Sequence, residues 1–177
     1  MNRRSCIWYV IALLAVGAIV DAAENLRIVP VVSDDQVLVS IELADAYTAD
    51  VREAISSGLR TTFTYDVELR MVVPLWVDRT IATAVVSTSD EYDILTRRHN
   101  LSRMIDGRVE GASVTEDEPA VRRWLTALSR LPLCRTSKLD PTHDYYVRIR
   151  ARVRPRGTSL LGWVNSITGQ AKFTFVP

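Results

Sequence analysis

The sequence predicts an α+β protein, mainly an antiparallel β-sheet or sandwich with two to three short helices packed on it. The first observation is the strict alternation of apolar and polar side chains over residues 61–71. A period of two over that length indicates a long strand with one buried and one solvated face. Two-faced strands favour antiparallel sheets over parallel ones. The second observation is that predicted strands outnumber predicted helices, and that the helices interrupt the series of strands.

Short turns separate most of the predicted strands. Residues 26–32 and 36–43 are predicted strands on either side of Ser33-Asp34-Asp35, whose short polar side chains can bond their own backbone. The turn at Asp106-Gly107 separates two later strands. In the strand 61–71, the inward positions are Phe63, Tyr65, Val67, Leu69 and Met71, and Asp66 and Glu68 point outward. The other predicted strands are residues 80–87, 92–101, 109–114, 145–153 and 171–176.

Helix-start signals predict two helices. Asp50 is the predicted N-cap of the first helix, with Glu53 in a capping-box position and Gly58 placed to close the helix. The second helix begins at residues 116–119, where acidic side chains and a proline suit a first turn. Its predicted apolar stripe ends at Leu131-Pro132 and consists of Val121, Trp124, Leu125, Leu128 and Leu131. A third, short amphipathic helix is predicted over residues 158–167.

The N-terminal segment has the layout of a secretory signal peptide. Arg3 and Arg4 precede the charge-free apolar run 7–20, and small residues follow at positions 20–23. The run is shorter than the roughly 20 residues that a spanning helix needs. We therefore expect residues 1–22 to be a signal peptide cleaved after Ala22, and residues 23–177 to form one exported domain in the periplasm or elsewhere outside the cytoplasm. An uncleaved membrane anchor is the alternative.

Charge and cysteine content exclude several functional classes. Loss of Arg3, Arg4 and Asp21 with the leader leaves 20 basic and 20 acidic side chains, so the domain is a poor candidate for nucleic-acid binding. Cys134 is then the only cysteine, and is expected to be either buried or half-buried, or an intermolecular thiol. Two separated histidines and one cysteine do not make a zinc site, and no calcium loop is present. No metal or cofactor is expected.

The most unusual feature of the domain is a row of arginines. Arg148, Arg150, Arg152 and Arg154 alternate with Val147, Ile149, Ala151 and Val153, so a strand would place all four guanidinium groups on one face. One interpretation is a solvated sheet face on which the arginines pair with Asp66 and Glu68 of another strand. The other is an anion- or partner-binding face, because guanidinium groups grip carboxylates and phosphates in bidentate fashion.

Signals for catalysis are weak. His99 and His143 are the only histidines, and the motifs of hydrolases, zinc peptidases and nucleotide-binding proteins are missing from the sequence. If the protein is an enzyme, its site must be assembled from scattered residues such as His99, Asp93 and His143. Trp76, Trp124 and Trp163 are predicted to be packing residues.

Several segments taken in order resemble a bacterial family of unknown function, the domain-of-unknown-function family 4390. These segments are residues 58–69 (GLRTTFTYDVEL), 92–97 (YDILTR), 124–128 (WLTAL) with Leu131-Pro132, 146–150 (YVRIR) and 169–175 (GQAKFTF). The resemblance implies an exported protein and suggests an accessory or sensory-input role beside a membrane sensor histidine kinase. The family supplies no catalytic residues.

Three functions follow as hypotheses. The first is a non-enzymatic envelope protein that binds an envelope component or a membrane protein, with peripheral contact to anionic lipid. The second is an envelope hydrolase, and the third is a carrier of an apolar ligand. The position and lining of the largest pocket separate them.

Overall fold

The computed structural model describes residues 25–155 and 165–175, and the predicted signal peptide lies outside these ranges. The described chain forms nine strands and two α-helices. The strands are β1 (Leu26–Ser33), β2 (Gln36–Leu43), β3 (Thr61–Met71), β4 (Arg79–Asp93), β5 (Arg98–Ile105), β6 (Arg108–Thr115), β7 (Ala127–Arg135), β8 (Asp144–Pro155) and β9 (Asn165–Thr174). The helices are α1 (Ala49–Ser56) and α2 (Glu118–Thr126), and a 3₁₀ turn covers Thr136–Lys138.

The strands form two antiparallel sheets. One has three strands in the order β1-β2-β7, and the other has six in the order β6-β5-β4-β3-β8-β9. Buried side chains of both sheets and both helices join in one apolar core. The two sheets approach each other closely at Gly169 of β9, where an added Cβ would lie 3.0 Å from the side chain of Leu26 in β1. The small sheet and the helices therefore cover one face of the large sheet, which we call its inner face. This α+β architecture confirms the predicted fold class.

The central strand β3 has the predicted bounds and register. Phe63, Tyr65, Val67 and Leu69 are each no more than 1% exposed, and the side chains between them are half-exposed on the outer face. The strand lies between β4 and β8 over its whole length. Its alternation therefore sets which residues of both neighbours face outward.

The N-cap of helix α1 lies two residues before the predicted cap. Thr48, whose backbone is extended, is the N-cap, and its hydroxyl accepts a hydrogen bond from the amide of Val51. Asp50 instead lies in the first turn, where a carboxylate suits the helix dipole. Gly58 closes the segment with φ +77°, as predicted.

The prediction that α2 continues to Leu131 is wrong. The helix ends at Thr126, and Leu128 and Leu131 belong to β7, where they pair with Ile41 and Val39 of β2. Their helical spacing comes from a β-bulge, since Arg130 has φ +53° and its amide bonds to the Ser40 hydroxyl. The extra residue turns both leucines toward the core.

Three other predictions need correction. Strand β4 continues to Asp93, so Tyr92 belongs to it rather than to the next strand. The helix predicted over residues 158–167 is wrong at residues 165–167, which lie in β9, while residues 158–164 are outside the described ranges. Trp76 does not pack, being 81% exposed.

Within the described ranges, no helix is long and apolar enough to cross a membrane.

Candidate functional site on the outer face of the large sheet

The arginine row lies on the outer face of the six-stranded sheet. Residues that pair directly across antiparallel strands share a face. Arg148 pairs with Glu68 of β3, and Arg150 pairs with Asp66. The apolar residues between the arginines, including Val147 and Ile149, are buried on the inner face. The predicted orientation of the row is therefore confirmed.

Two of the four arginines form salt bridges with Glu68 and Asp66, the acids that the sequence suggested as partners. The Nη2 atom of Arg148 lies 2.7 Å from Oε2 of Glu68, and Nη2 of Arg152 lies 2.6 Å from Oδ2 of Asp66. Arg70 adds a longer contact of 3.7 Å to the same Glu68 oxygen. These side chains keep between 15% and 38% of their surface exposed. Because solvent reaches and screens the charges, each pair contributes about 1 kcal/mol or less to stability.

The other two arginines are exposed. Among the described residues, neither Arg150 nor Arg154 has a carboxylate within 4.0 Å. Lys172 of β9 pairs across from Tyr146 and is also exposed on this face. We call this surface the basic face. Its cationic members are Arg70, Arg148, Arg150, Arg152, Arg154 and Lys172, and its acidic members are Asp66, Glu68 and Asp144. Cations therefore exceed anions on it, although the domain as a whole is expected to be neutral.

A shallow hollow of about 250 Å³ lies within the basic face. Arg148 and Arg150 border it on one side, and Thr83 and Val85 of β4 on the other. Asp66 and Glu68 form part of its floor, and Glu68 orients the guanidinium group of Arg148. The hollow has the size of a small anionic group rather than of a folded ligand.

The histidines of the hydrolase hypothesis do not come together. Nδ1 of His99 lies 2.8 Å from Oδ2 of Asp90, and Nδ1 of His143 lies 3.4 Å from Oδ2 of Asp140. Thr61 of β3 pairs with Asp90 and Met71 pairs with Tyr145, so the two histidines lie at opposite ends of this strand. Eleven extended residues place those ends roughly 30 Å apart.

Asp93, the third residue of that hypothesis, stabilises a turn. Its Oδ1 atom accepts hydrogen bonds from the amides of Leu95 and Thr96. A hydrogen bond from the Thr96 side chain, together with these two backbone bonds, lowers the pKa of Asp93. The carboxylate therefore stabilises the β4–β5 connection, and its hydrogen bonds go to that turn rather than to His99 or His143.

Comparison with known proteins identifies the family. A family model described as Domain of unknown function (DUF4390) matches residues 21–159, which includes everything from β1 to the end of β8. The chain belongs to this family. The predicted resemblance is thereby confirmed, although the segment 169–175 lies beyond the matched residues. No curated protein and no solved structure matches the chain.

A groove of this DUF4390 protein lies beside α1. It has a volume of about 580 Å³, and its apolar lining includes Val51, Leu59 and Ile167. Asp45, Asp50 and Glu53 also line it, and no histidine is among its described lining residues. The groove does not coincide with the basic face, because it opens at the end of β8 where Val153 lies.

Among the residues that the structure describes, the remaining reactive groups of the DUF4390 protein do not form a metal or thiol site. In residues 25–155 and 165–175, no three His, Cys, Asp or Glu side chains converge to hold a metal ion. Cys134 is half-buried, as predicted, and burial raises the pKa of its thiol. A raised pKa keeps the thiol protonated and less reactive.

A buried polar cluster at the end of α2 was not predicted from the sequence. The Leu125 carbonyl accepts hydrogen bonds from the hydroxyls of Tyr65, at 2.6 Å, and Thr88, at 3.1 Å. Arg103 donates to the carbonyls of Trp124 and Ala127, and its guanidinium lies 4.4 Å from the centre of the Trp124 ring. The cluster satisfies carbonyls that a helix end leaves free and fixes α2 on the inner face.

Proposed function

We propose that the protein is a non-enzymatic binding module of the bacterial envelope that binds an anionic envelope component on its basic face. The observation that carries the proposal is the excess of cations on that face, with Arg150 and Arg154 exposed and, among the described residues, unpaired. An exposed, unpaired guanidinium group retains all of its donors for a ligand.

The geometry of the row suits carboxylate or phosphate groups. Alternate residues of one strand lie about 7 Å apart, so neighbouring arginines could engage successive anionic groups. Arg148 and Arg152 flank Arg150 and are already oriented by Glu68 and Asp66. Because those side chains are ordered before binding, less conformational entropy is lost when an anion arrives. Both anionic lipid headgroups and the carboxylates of peptidoglycan have this chemistry.

Export and an accessory role belong to the same proposal. The signal-peptide layout of residues 1–22 supports a location outside the cytoplasm. A binding module there could serve as an accessory or input to a membrane sensor kinase. The separation of His99 from His143 supports binding over hydrolysis, since a hydrolase needs its acid, base and nucleophile within hydrogen-bond reach.

A carrier of an apolar ligand is the second candidate. The groove beside α1 favours it, because about 580 Å³ falls within the usual range of small-molecule sites and part of the lining is apolar. An environment-sensitive apolar dye should then bind the protein, and Val51→Asp should abolish that binding. Retention of dye binding by the folded variant would place the dye elsewhere and count against the groove.

The main proposal is tested with a charge-matched pair of double variants. Arg150→Gln/Arg154→Gln removes two exposed cations from the basic face, and Arg108→Gln/Arg135→Gln removes two exposed cations from elsewhere. Each is compared with the parent for co-sedimentation with peptidoglycan sacculi and with anionic vesicles, at low and high salt. We expect binding by the parent that falls with salt, is lost in the first variant and is kept in the second.

The two ligand preparations distinguish the sources of the anion. Binding to sacculi alone identifies a carboxylate polymer, and binding to vesicles alone identifies lipid headgroups. Equal sedimentation of all three proteins, or binding to neither preparation, would leave the row as a solvated sheet face and overturn the proposal.

A further inference from the structure

Three consecutive apolar side chains are exposed where β3 turns into β4. Leu75, Trp76 and Val77 are 104%, 81% and 75% exposed, whereas large apolar residues on the surface of a monomer normally occur singly. We call them the apolar tip. The tip lies at the Met71 end of the large sheet, between β3 and β4.

Hydrogen bonds hold the loop that carries the tip. Asp78, at its base, accepts a bond from the Tyr146 hydroxyl at 2.7 Å and one from the Val73 amide at 3.3 Å, while Arg70 donates to its carbonyl at 2.8 Å. The Tyr146 bond is the main reason that the pKa of Asp78 is lowered, so the carboxylate stays charged and keeps its partners. These contacts join the loop to β3 and β8.

The backbone of the tip is strained at Leu75. Leu75 has φ +63°, a conformation that a bulky residue without a polar side chain rarely adopts. Such strain persists where surrounding contacts over-determine the backbone, and it concentrates at functional positions. Among the described residues, the hollow between the three side chains is lined by those side chains alone. No described part of the chain therefore covers the tip.

The size and charge of the tip select its partner. Three side chains offer a few hundred Å² of surface, well below the roughly 800 Å² per partner of a standard protein interface. A second copy meeting the tip would therefore bury too little surface for a stable dimer. The neighbouring charges at this end are balanced: three cations, Arg70, Arg79 and Lys138, lie close to three acids, Asp78, Asp140 and Asp144. The surface around the tip therefore does not favour a strongly charged partner.

We propose that the apolar tip inserts into the interfacial layer of a lipid bilayer. A bilayer accepts a convex apolar projection without a shaped pocket, and tryptophan is favoured at the boundary between headgroups and acyl chains. The strand axis of β3 then points toward the membrane, and the basic face, which runs along that axis, stays accessible to its own partner. None of the three side chains of the apolar tip belongs to the basic face, so the inference stands independently of the proposed function.

The test measures binding to vesicles of zwitterionic phosphatidylcholine, with the protein purified after expression of the full chain. Leu75→Asn removes the apolar side chain without adding backbone strain, because asparagine tolerates a positive φ. Leu95→Asn is the matched control, since Leu95 is 94% exposed on the β4–β5 turn at the other end of the sheet. We expect the parent to bind with little dependence on salt, Leu75→Asn to bind about tenfold more weakly, and Leu95→Asn to match the parent.

Fluorescence of Trp76 provides a readout that is independent of any retained N-terminal anchor. Brominated phosphatidylcholine should quench the parent more than Trp76→Phe, and this difference isolates Trp76 from the other tryptophans. Melting temperatures establish that each variant is folded. Equal quenching of the two proteins, or equal binding of parent and Leu75→Asn, would overturn the inference. Binding only to anionic vesicles, lost with salt but not with Leu75→Asn, would overturn it as well and would leave the proposed function standing.

Discussion

Asp90 and His99 form a 2.8 Å contact on neighbouring strands of the large sheet, with the Asp90 side chain fully buried. The Tyr92 ring covers the histidine, with ring centres 4.7 Å apart. Burial raises the pKa of Asp90, and the hydrogen bond and charge of His99 offset that shift only in part. A carboxyl group whose ionised form is disfavoured by the fold makes stability depend on pH.

The first prediction concerns Asp90→Asn. Because the pKa of Asp90 is higher in the folded protein than in the unfolded chain, its contribution is most favourable below the unfolded pKa of about 3.9. As pH rises from the unfolded pKa through the folded pKa, Asp90 lowers the free energy of unfolding progressively. Above the folded pKa its effect no longer changes with pH. The free energy of unfolding of Asp90→Asn should therefore improve relative to the parent as pH rises through this acidic range. Urea unfolding at a series of pH values measures the difference.

Asp93→Asn is the control with the opposite sign. Hydrogen bonds lower the pKa of Asp93, so its stabilisation is present above the unfolded pKa and lost as pH falls through the folded one. The deficit of Asp93→Asn relative to the parent should therefore grow with rising pH over that window. Parallel pH profiles for Asp90→Asn and the parent would contradict the first prediction.

Local periodicity predicts the basic face because strand geometry alone decides it. An alternating strand has only two faces, so the row from Arg148 to Arg154 shares a side once β8 forms. The pairing with Asp66 and Glu68 needed one further assumption, that β8 lies next to β3, and the structure confirms it.

Features that depend on tertiary contacts could not be predicted in this way. Leu128 and Leu131 have helical spacing, and only their pairing with β2 reveals the bulge that replaces the helix. The burial of Asp90 depends on helices packing over the inner face, and a carboxyl group at a strand position is normally assumed to be exposed. The exposure of Trp76 contradicts the general tendency of aromatic residues to pack, so no rule based on residue type could predict it.

The second prediction tests the register of β3 with Val67→Asp. Val67 is 1% exposed, so the substitution buries an unpaired charge and should cost roughly 3–5 kcal/mol of stability. Thr64→Asp is the control on the same strand, because Thr64 is on the outer face opposite Arg152. Its effect should stay within about 1 kcal/mol. Thermal melting of the two variants compares them, and equal melting temperatures would show that the register is wrong.

The third prediction concerns the N-terminal segment. Expression of the full chain in an exporting host should yield a protein that begins at Ala23, since Val20 and Ala22 occupy the positions where signal peptidase favours small residues. Mass spectrometry of the purified protein reads its N-terminus directly. An intact Met1 or Asn2 terminus in the membrane fraction would establish the uncleaved anchor instead.

The fourth prediction concerns the two hydroxyl groups that share the Leu125 carbonyl. Tyr65→Phe and Thr88→Val each remove one hydrogen bond, and in each single variant the other hydroxyl still satisfies the carbonyl. Each change should therefore cost about 1 kcal/mol. The double variant removes both side-chain donors from a buried acceptor at the end of α2, so it should cost about 1 kcal/mol more than the sum of the single changes.

A double-mutant cycle by urea unfolding measures that coupling. Matched substitutions at Tyr145, which is equally buried but bonds to Asp140 instead, provide the comparison: Tyr145→Phe combined with Thr88→Val should be additive, because the two side chains share no acceptor. Additivity within a few tenths of a kcal/mol for Tyr65→Phe with Thr88→Val would mean that water replaces the lost donors. The end of α2 would then be open to solvent rather than fixed by this cluster on the inner face of the sheet.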